Sequence, residues 1–398
     1  MNVLFISPHF PRHFYQFCER LKVRGVTVLG LGDCRWEDIG AECQQSLSDY
    51  RYVHDLNDYE EVYRTVAGYI SQYGRLDYVN SQNEYWLELE ARLRTDFNIE
   101  TGPDREALAG MNRKSRMKAR YERAGVPVAR WILPKDLGEA RAFAARVGYP
   151  VIVKPDKGVG ATSTYKICNE RELGQFWAKK PEDVVFIEEE CVPGHVETFD
   201  GITDSHGHIL FVASQCLPVS LMDAVNEDKD VVSYCQNPPE DLRRAGEATL
   251  GQYNARNLFF HFEFFRLDHD KDGLGKKGDI IGLEVNMRAP GGRIPDKMNY
   301  AYDTDVYTIW ADSLIYDRCF MNSDFRHYIT HVGRKNSLKY ALTVDEVRRR
   351  WGHAIIEEME VDSALADEMG NHAYLMRAET IEERDAQVND ILKKEDKR

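Results

Sequence analysis

Two apolar segments, FFHFEFFRLD (259–268) and GDIIGLEVN (278–286), joined by the polar turn HDKDGLGKK, constrain this chain more than any other feature. Each reads as a strand of a buried sheet, and the turn between them predicts an antiparallel hairpin. Both strands nevertheless carry carboxylates among their apolar residues. Period-2 alternation puts Glu284, Asn286 and Arg288 of LEVNMR on one face and Val285 and Met287 on the other. If Glu263 of HFEFF faces the same way on the neighbouring strand, three oxygen donors converge. Such hard ligands suit Mg²⁺, or Mn²⁺ in its place. The plainer alternative is the wet face of a half-exposed hairpin. Against it stands the run APGG that follows, in which Gly291 and Gly292 predict close backbone approach to an anion.

A second segment, YPVIVKPDKGVGATSTYKI, places Lys154 at the end of an apolar strand, before a loop with Gly158, Gly160, Thr162, Ser163 and Thr164. Small residues let backbone N–H groups reach phosphate oxygens, hydroxyls donate further bonds, and the lysine supplies a fixed charge. It is not a Walker A loop, which ends in G-K-[ST]. A glycine-rich hairpin with a surface lysine is the competing reading.

The rest of the chain sets these segments in order. Val3 to Ile6, the polar loop SPHFPRHF, a helix over Phe14 to Lys22 and a strand over Val26 to Leu31 open a small parallel-sheet α/β domain, residues 1–112. It lacks a G-x-G-x-x-G turn. The punctuation Gly102-Pro103-Asp104 and the basic helix NRKSRMKARYERAG begin a larger unit, 113–320, containing a compact subdomain at about 118–195. In that subdomain Asp136 and Asn169 are expected to cap helices. A mixed α/β segment, 321–398, completes the chain. The formal charge of −14 opposes broad attraction to nucleic acid or an anionic membrane. Eight scattered cysteines form no C-x-x-C pair, and no apolar run approaches the ~20 residues of a membrane span. The expected setting is cytoplasmic, with no nucleic-acid or membrane partner.

Taken together and in this order, these segments resemble the ATP-grasp superfamily over nearly the whole chain. The resemblance implies an α/β (α+β) ATP-grasp fold with an N-terminal parallel-sheet domain and a small lid subdomain. Lys154 in KPDKGVG and Lys114 in NRKSRMK then contact nucleotide phosphates, under a loop that includes Gly160 and Ser163. The strand IEEECV matches the hinge that holds adenine through its backbone, with Glu189, Glu190, Cys191 and Val192. Glu197 of PGHVETFDG matches the residue that meets ribose, although HVET is closer to the pattern of biotin carboxylases than to the common G-x-E. Glu263, Glu284 and Asn286 match the metal ligands, and Arg288 the phosphate-contacting arginine.

The activity so implied is an ATP- and Mg²⁺-dependent ligase that activates a carboxylate as an acyl phosphate and passes it to an amine, releasing ADP and phosphate. Lys154 and Arg288 are its expected catalytic residues. Arg293 with the Gly291–Gly292 backbone is the expected cradle for the substrate carboxylate, with Lys297 behind it. His9 and Arg12, at the carboxyl end of the first strand, are further substrate candidates. A carboxylase-like use of bicarbonate, a thiol acceptor and a non-catalytic nucleotide-binding regulator are the alternatives. A homodimer is the expected assembly.

Overall fold

The computed structural model describes residues 1–103, 105–158, 164–219, 228–361 and 366–395. The N-terminal domain is a parallel sheet of β1 (Asn2–Ile6), β2 (Thr27–Gly32), β3 (Asp49–Tyr52) and β4 (Tyr78–Asn80), in the order β3-β2-β1-β4. Val3 and Phe5 pack into one core and Leu4 and Ile6 into another, as a parallel sheet buried on both faces requires.

The small sheet contains β5 (Trp131–Ile132), β6 (Val151–Pro155), β7 (Tyr165–Ile167) and β8 (Phe186–Glu190), in the order β5-β8-β6-β7 and antiparallel throughout. The helices Leu137–Val147 and Glu170–Lys179 flank these strands in sequence, and their apolar residues share a core with Val151, Val153 and Phe186. Both start as expected, Asp136 accepting from the Glu139 N–H at 2.9 Å and Asn169 from that of Glu172 at 3.0 Å. Because paired residues share a face, Lys154 and Glu189 point away from this core.

The large sheet runs β13-β12-β9-β10-β11-β14-β16-β15. Its strands are β9 (Gly194–Thr203), β10 (Ile209–Leu217), β11 (Val231–Gln236), β12 (Phe259–Leu267), β13 (Ile280–Asn286), β14 (Tyr328–Arg334), β15 (Ile355–Glu360) and β16 (His372–Ala378), all antiparallel.

Two expected boundaries shift. The helix Lys114–Arg123 belongs to the large sheet: a Cβ on Gly282 of β13 would lie 2.5 Å from the Tyr121 ring, so only glycine lets the helix settle there. The small subdomain therefore starts near β5 rather than at residue 118. The segment 321–398 is likewise continuous with the body, since β14 pairs with β11 and extends its sheet. The N-terminal domain shares a core with the body too. Phe17 packs edge-on against Tyr307 and Trp310 of the helix Val306–Tyr316, at 4.8 and 5.2 Å between ring centres.

Candidate active site

The hairpin register aligns the first group of site residues. Glu263 of β12 lies directly opposite Glu284 of β13, and His261 opposite Asn286. The register shifts between Glu263 and Phe264, so the strands are irregular beside the two carboxylates. Tyr121 reinforces this point, its hydroxyl donating to the Glu263 carbonyl at 3.1 Å and the Glu284 carbonyl at 2.8 Å.

The same helix delivers two ammonium groups. Lys114 Nζ lies 3.3 Å from Glu284 Oε1 and donates to the Gly158 carbonyl at 3.1 Å. One turn on, the buried Lys118 lies 3.2 Å from Glu189 Oε2, and Lys154 Nζ lies 3.3 Å from the other oxygen of that carboxylate. Burial pulls the Lys118 pKa down. For Lys154, Glu189 and Glu284 outweigh burial and push it up, while Glu189 is held low by the two lysines despite its burial. Glu189, expected to serve the hinge through its backbone, uses its side chain to tie the small sheet to the helix.

Behind the hairpin runs a second chain of contacts. Asp200 accepts from His261 Nδ1 at 2.6 Å, and His261 Nε2 lies 3.3 Å from Glu263 Oε1. Burial works against charge on His261, but Asp200 and Glu263 raise its pKa to about 9.

The other expected residues are dispersed. Glu190 turns to the opposite face and takes Arg130 in a two-pronged pair, with bonds of 3.0 and 2.7 Å. The Cys191 carbonyl accepts from Lys271 at 2.7 Å, and Val192 follows outside any strand. Glu197 is held by Arg266 at 2.8 and 3.0 Å and lies 3.6 Å from His195. His195 is raised to about 10 by Cys216, Glu197 and Asp268 acting against burial. Gly160 and Ser163 lie outside the described residues.

Arg288 donates to Glu84 of the N-terminal domain and to the Ala289 carbonyl at 2.9 Å, while Gln82 accepts from the Ala289 N–H at 2.9 Å. Gly291 and Gly292 are exposed, Gly292 at φ +56, and a Cβ on either would meet nothing within 4 Å, which leaves room for a ligand against the backbone. Arg293 is already engaged, by Asp296 at 2.8 Å and by Glu357. Lys297 is buried, donates to Ser233 at 2.7 Å and is lowered to about 8 by burial. Arg12 is exposed and His9 half-buried. It is His13, in the same loop, that feels the charges of Asp296 and Arg293.

Sequence reading did not single out Lys118, His261, Asp200 or Glu84. Lys118 follows Lys114 by four residues on one helix face, and His261 precedes Glu263 by two on one strand face. Both were legible from periodicity. No local pattern marks Glu84, because its role arises from a contact 204 residues away.

The described residues fit a nucleotide with its metal. Two carboxylates and an amide on one hairpin face form a hard-oxygen set. Lys114, Lys118 and Lys154 set three ammonium groups beside the carboxylates of Glu189, Glu263 and Glu284, an alternation of charge that suits a polyphosphate with its metal. This fold, a parallel sheet beside a large antiparallel one, is that of ATP-grasp ligase structures.

The model of the carbamoyl-phosphate synthase L chain ATP-binding domain matches residues 113–215. The L-arginine-specific L-amino acid ligase of Bacillus subtilis is 24% identical over 277 residues, covering 67% of this chain and 64% of its own length. The chain thus spans less than two thirds of that relative. Among solved structures, the L-amino acid ligase from Bacillus licheniformis superimposes with a TM-score of 0.71 at 14% identity, covering 99% of both chains. The biotin carboxylase domain of Hydrogenobacter thermophilus 2-oxoglutarate carboxylase, solved with MgADP, ADP and bicarbonate, gives 0.65 at 15% identity, covering 95% of this chain and 86% of that one.

Proposed function

We propose that the protein is an ATP-dependent carboxylate–amine ligase. The observation that carries this reading is the pair of buried lysines on Glu189 next to the carboxylate hairpin: fixed ammonium groups beside a hard-metal ligand set. ATP with Mg²⁺, when bound, would supply the phosphoryl group that turns one oxygen of the carboxylate into a good leaving group, phosphate.

The chain's own residues do the rest. Lys114, Lys118 and Lys154 neutralise phosphate charge, and being held by packing they need little reorganisation. Glu263, Glu284 and Asn286 would hold the metal. His261, fixed by Asp200, sets the orientation of Glu263 and acts as a positioning residue. Arg288 supplies a planar, permanent cation where negative charge develops on the acyl group. Its pairing with Glu84 makes the N-terminal domain one wall of the substrate site. Gly291 and Gly292 offer open backbone beside it.

Similarity to the two amino acid ligases supports an amine acceptor over bicarbonate as the defining substrate. The test is a screen of carboxylates in the presence of hydroxylamine, a small acceptor that needs no dedicated pocket. The reading predicts ADP release together with a hydroxamate for at least one carboxylate. ADP release that requires bicarbonate and yields no hydroxamate would replace it with the carboxylase reading.

A further inference from the structure

A cleft of about 640 Å³ lies beside the candidate active site, between the N-terminal domain and the approach to the small subdomain. One wall is aromatic. Tyr85, 57% exposed, stands edge-on to Trp86 at 4.6 Å between ring centres. Basic side chains line the cleft too: Arg92 on the helix Leu87–Asp96 that follows Trp86, and Arg105, Arg113 and Lys157, with the carboxylate of Glu88. With Asp96 4.0 Å from Arg92 and Asp156 3.4 Å from Arg113, four cations meet three carboxylates, which leaves the cleft weakly basic on a chain of net charge −14.

The basic side chains are braced by their neighbours. Arg92 lies 3.3 Å over the ring of Tyr59, whose hydroxyl is anchored on Asp96 at 2.5 Å. Asp156 steadies Arg113 at 3.4 Å, while Glu88 holds Lys157 at 2.5 Å and accepts from Asn112 at 2.9 Å.

Two lining residues adjoin the candidate site in sequence. Glu84, which pairs with Arg288, immediately precedes Tyr85, and Arg113 immediately precedes Lys114, which meets Glu284. A molecule seated in the cleft thus lies near the groups proposed to activate the acyl group.

We propose that this cleft binds the amine acceptor, and that the acceptor is an amine with a carboxylate and a flat apolar side chain, as in an aromatic amino acid. The inference rests on the ligase reading. The guanidinium groups take the carboxylate, the rings of Tyr85 and Trp86 take the side chain, and the amine projects toward Arg288. Its nitrogen forms the new C–N bond as the acyl C–O bond to phosphate breaks. Phosphate leaves with the electron pair, and the amine proton passes to solvent.

Calorimetric titration of the full chain, with MgADP present, tests this using L-phenylalanine, L-phenylalaninamide and phenethylamine. L-Phenylalanine is expected to bind, and the two probes without a carboxylate to bind at least about tenfold more weakly. The double variant Arg92→Gln, Arg105→Gln should lose L-phenylalanine binding by a similar factor while keeping its MgADP affinity. If it does not fold, Tyr85→Ala, at an exposed position, should show the same selective loss. No heat with L-phenylalanine, equal binding of the three probes, or indifference to these substitutions would overturn the inference. Hydroxamate formation without L-phenylalanine binding refutes this assignment alone. L-Phenylalanine binding by a chain that forms no hydroxamate refutes the ligase reading alone.

Discussion

Glu284 has Lys114 as its ion-pair partner at 3.3 Å, and its side chain keeps 23% of its exposure, so its removal should disturb function far more than folding. Glu284→Ala is expected to abolish magnesium-dependent ADP release while leaving the melting temperature within a few degrees of the parent. Persisting magnesium-dependent turnover would remove Glu284 from the metal set. Asn286→Ala should be milder, because water replaces a neutral ligand. Lys154 and Arg288 should separate kinetically. On the proposed reading Lys154 neutralises charge already present on bound phosphates, so Lys154→Ala should weaken nucleotide affinity as well as rate. Arg288 meets charge that develops during transfer, so Arg288→Ala should lower kcat by about 10²-fold with little change in nucleotide affinity. Steady-state kinetics with a direct nucleotide titration checks the split. A matching loss of nucleotide affinity in Arg288→Ala would mean that it binds the ground state.

Among the elements, the strand β8 shows what alternation reveals and what it hides. Its run of three glutamates was legible as an acidic strand, but not the destiny of each. Glu189 meets two lysines, Glu190 meets Arg130, and Glu188 is buried with neither carboxylate oxygen hydrogen-bonded. Burial alone pushes Glu188 up from 4.5 to about 7. Since the folded value lies above the unfolded one, the stability it contributes is complete below about pH 4.5 and is lost as pH rises through 7. Glu188→Gln should therefore flatten the pH dependence of melting, and above pH 8 it should be more stable than the parent by on the order of 2–3 kcal/mol. Melting curves from pH 4.5 to 8.5 that run parallel for the two proteins would contradict this. Gly282 makes a second prediction at this scale. Its substitution by alanine puts a Cβ against the Tyr121 ring and must shift the helix that carries Lys114 and Lys118, costing about 1–3 kcal/mol. Nucleotide affinity should fall alongside the melting temperature; a loss of stability alone would mean that the helix keeps its place.

For the molecule as a whole, the parallel N-terminal sheet, the capped helices and the carboxylate hairpin were legible because each follows from local periodicity or turn chemistry. The continuity of 321–398 with the large sheet was not, since nothing local in β14 names β11 as its partner. The pairings of Arg288 with Glu84 and of Arg293 with Glu357 were hidden for the same reason: long-range contacts leave no spacing to read. Arg288 with Glu84 joins the N-terminal domain to the hairpin, and Glu189 with Lys118 joins the small sheet to the helix, so three sheets contribute to the candidate site. The central claim is that this centre activates a carboxylate by phosphorylation. The most direct test is to supply a productive carboxylate labelled with ¹⁸O in both oxygens, together with ATP, Mg²⁺ and hydroxylamine, and to locate the label after turnover. The account predicts ADP and inorganic phosphate as products, with one ¹⁸O carried into the phosphate. Release of AMP and pyrophosphate, with ¹⁸O in the AMP, would show an adenylate intermediate and contradict it.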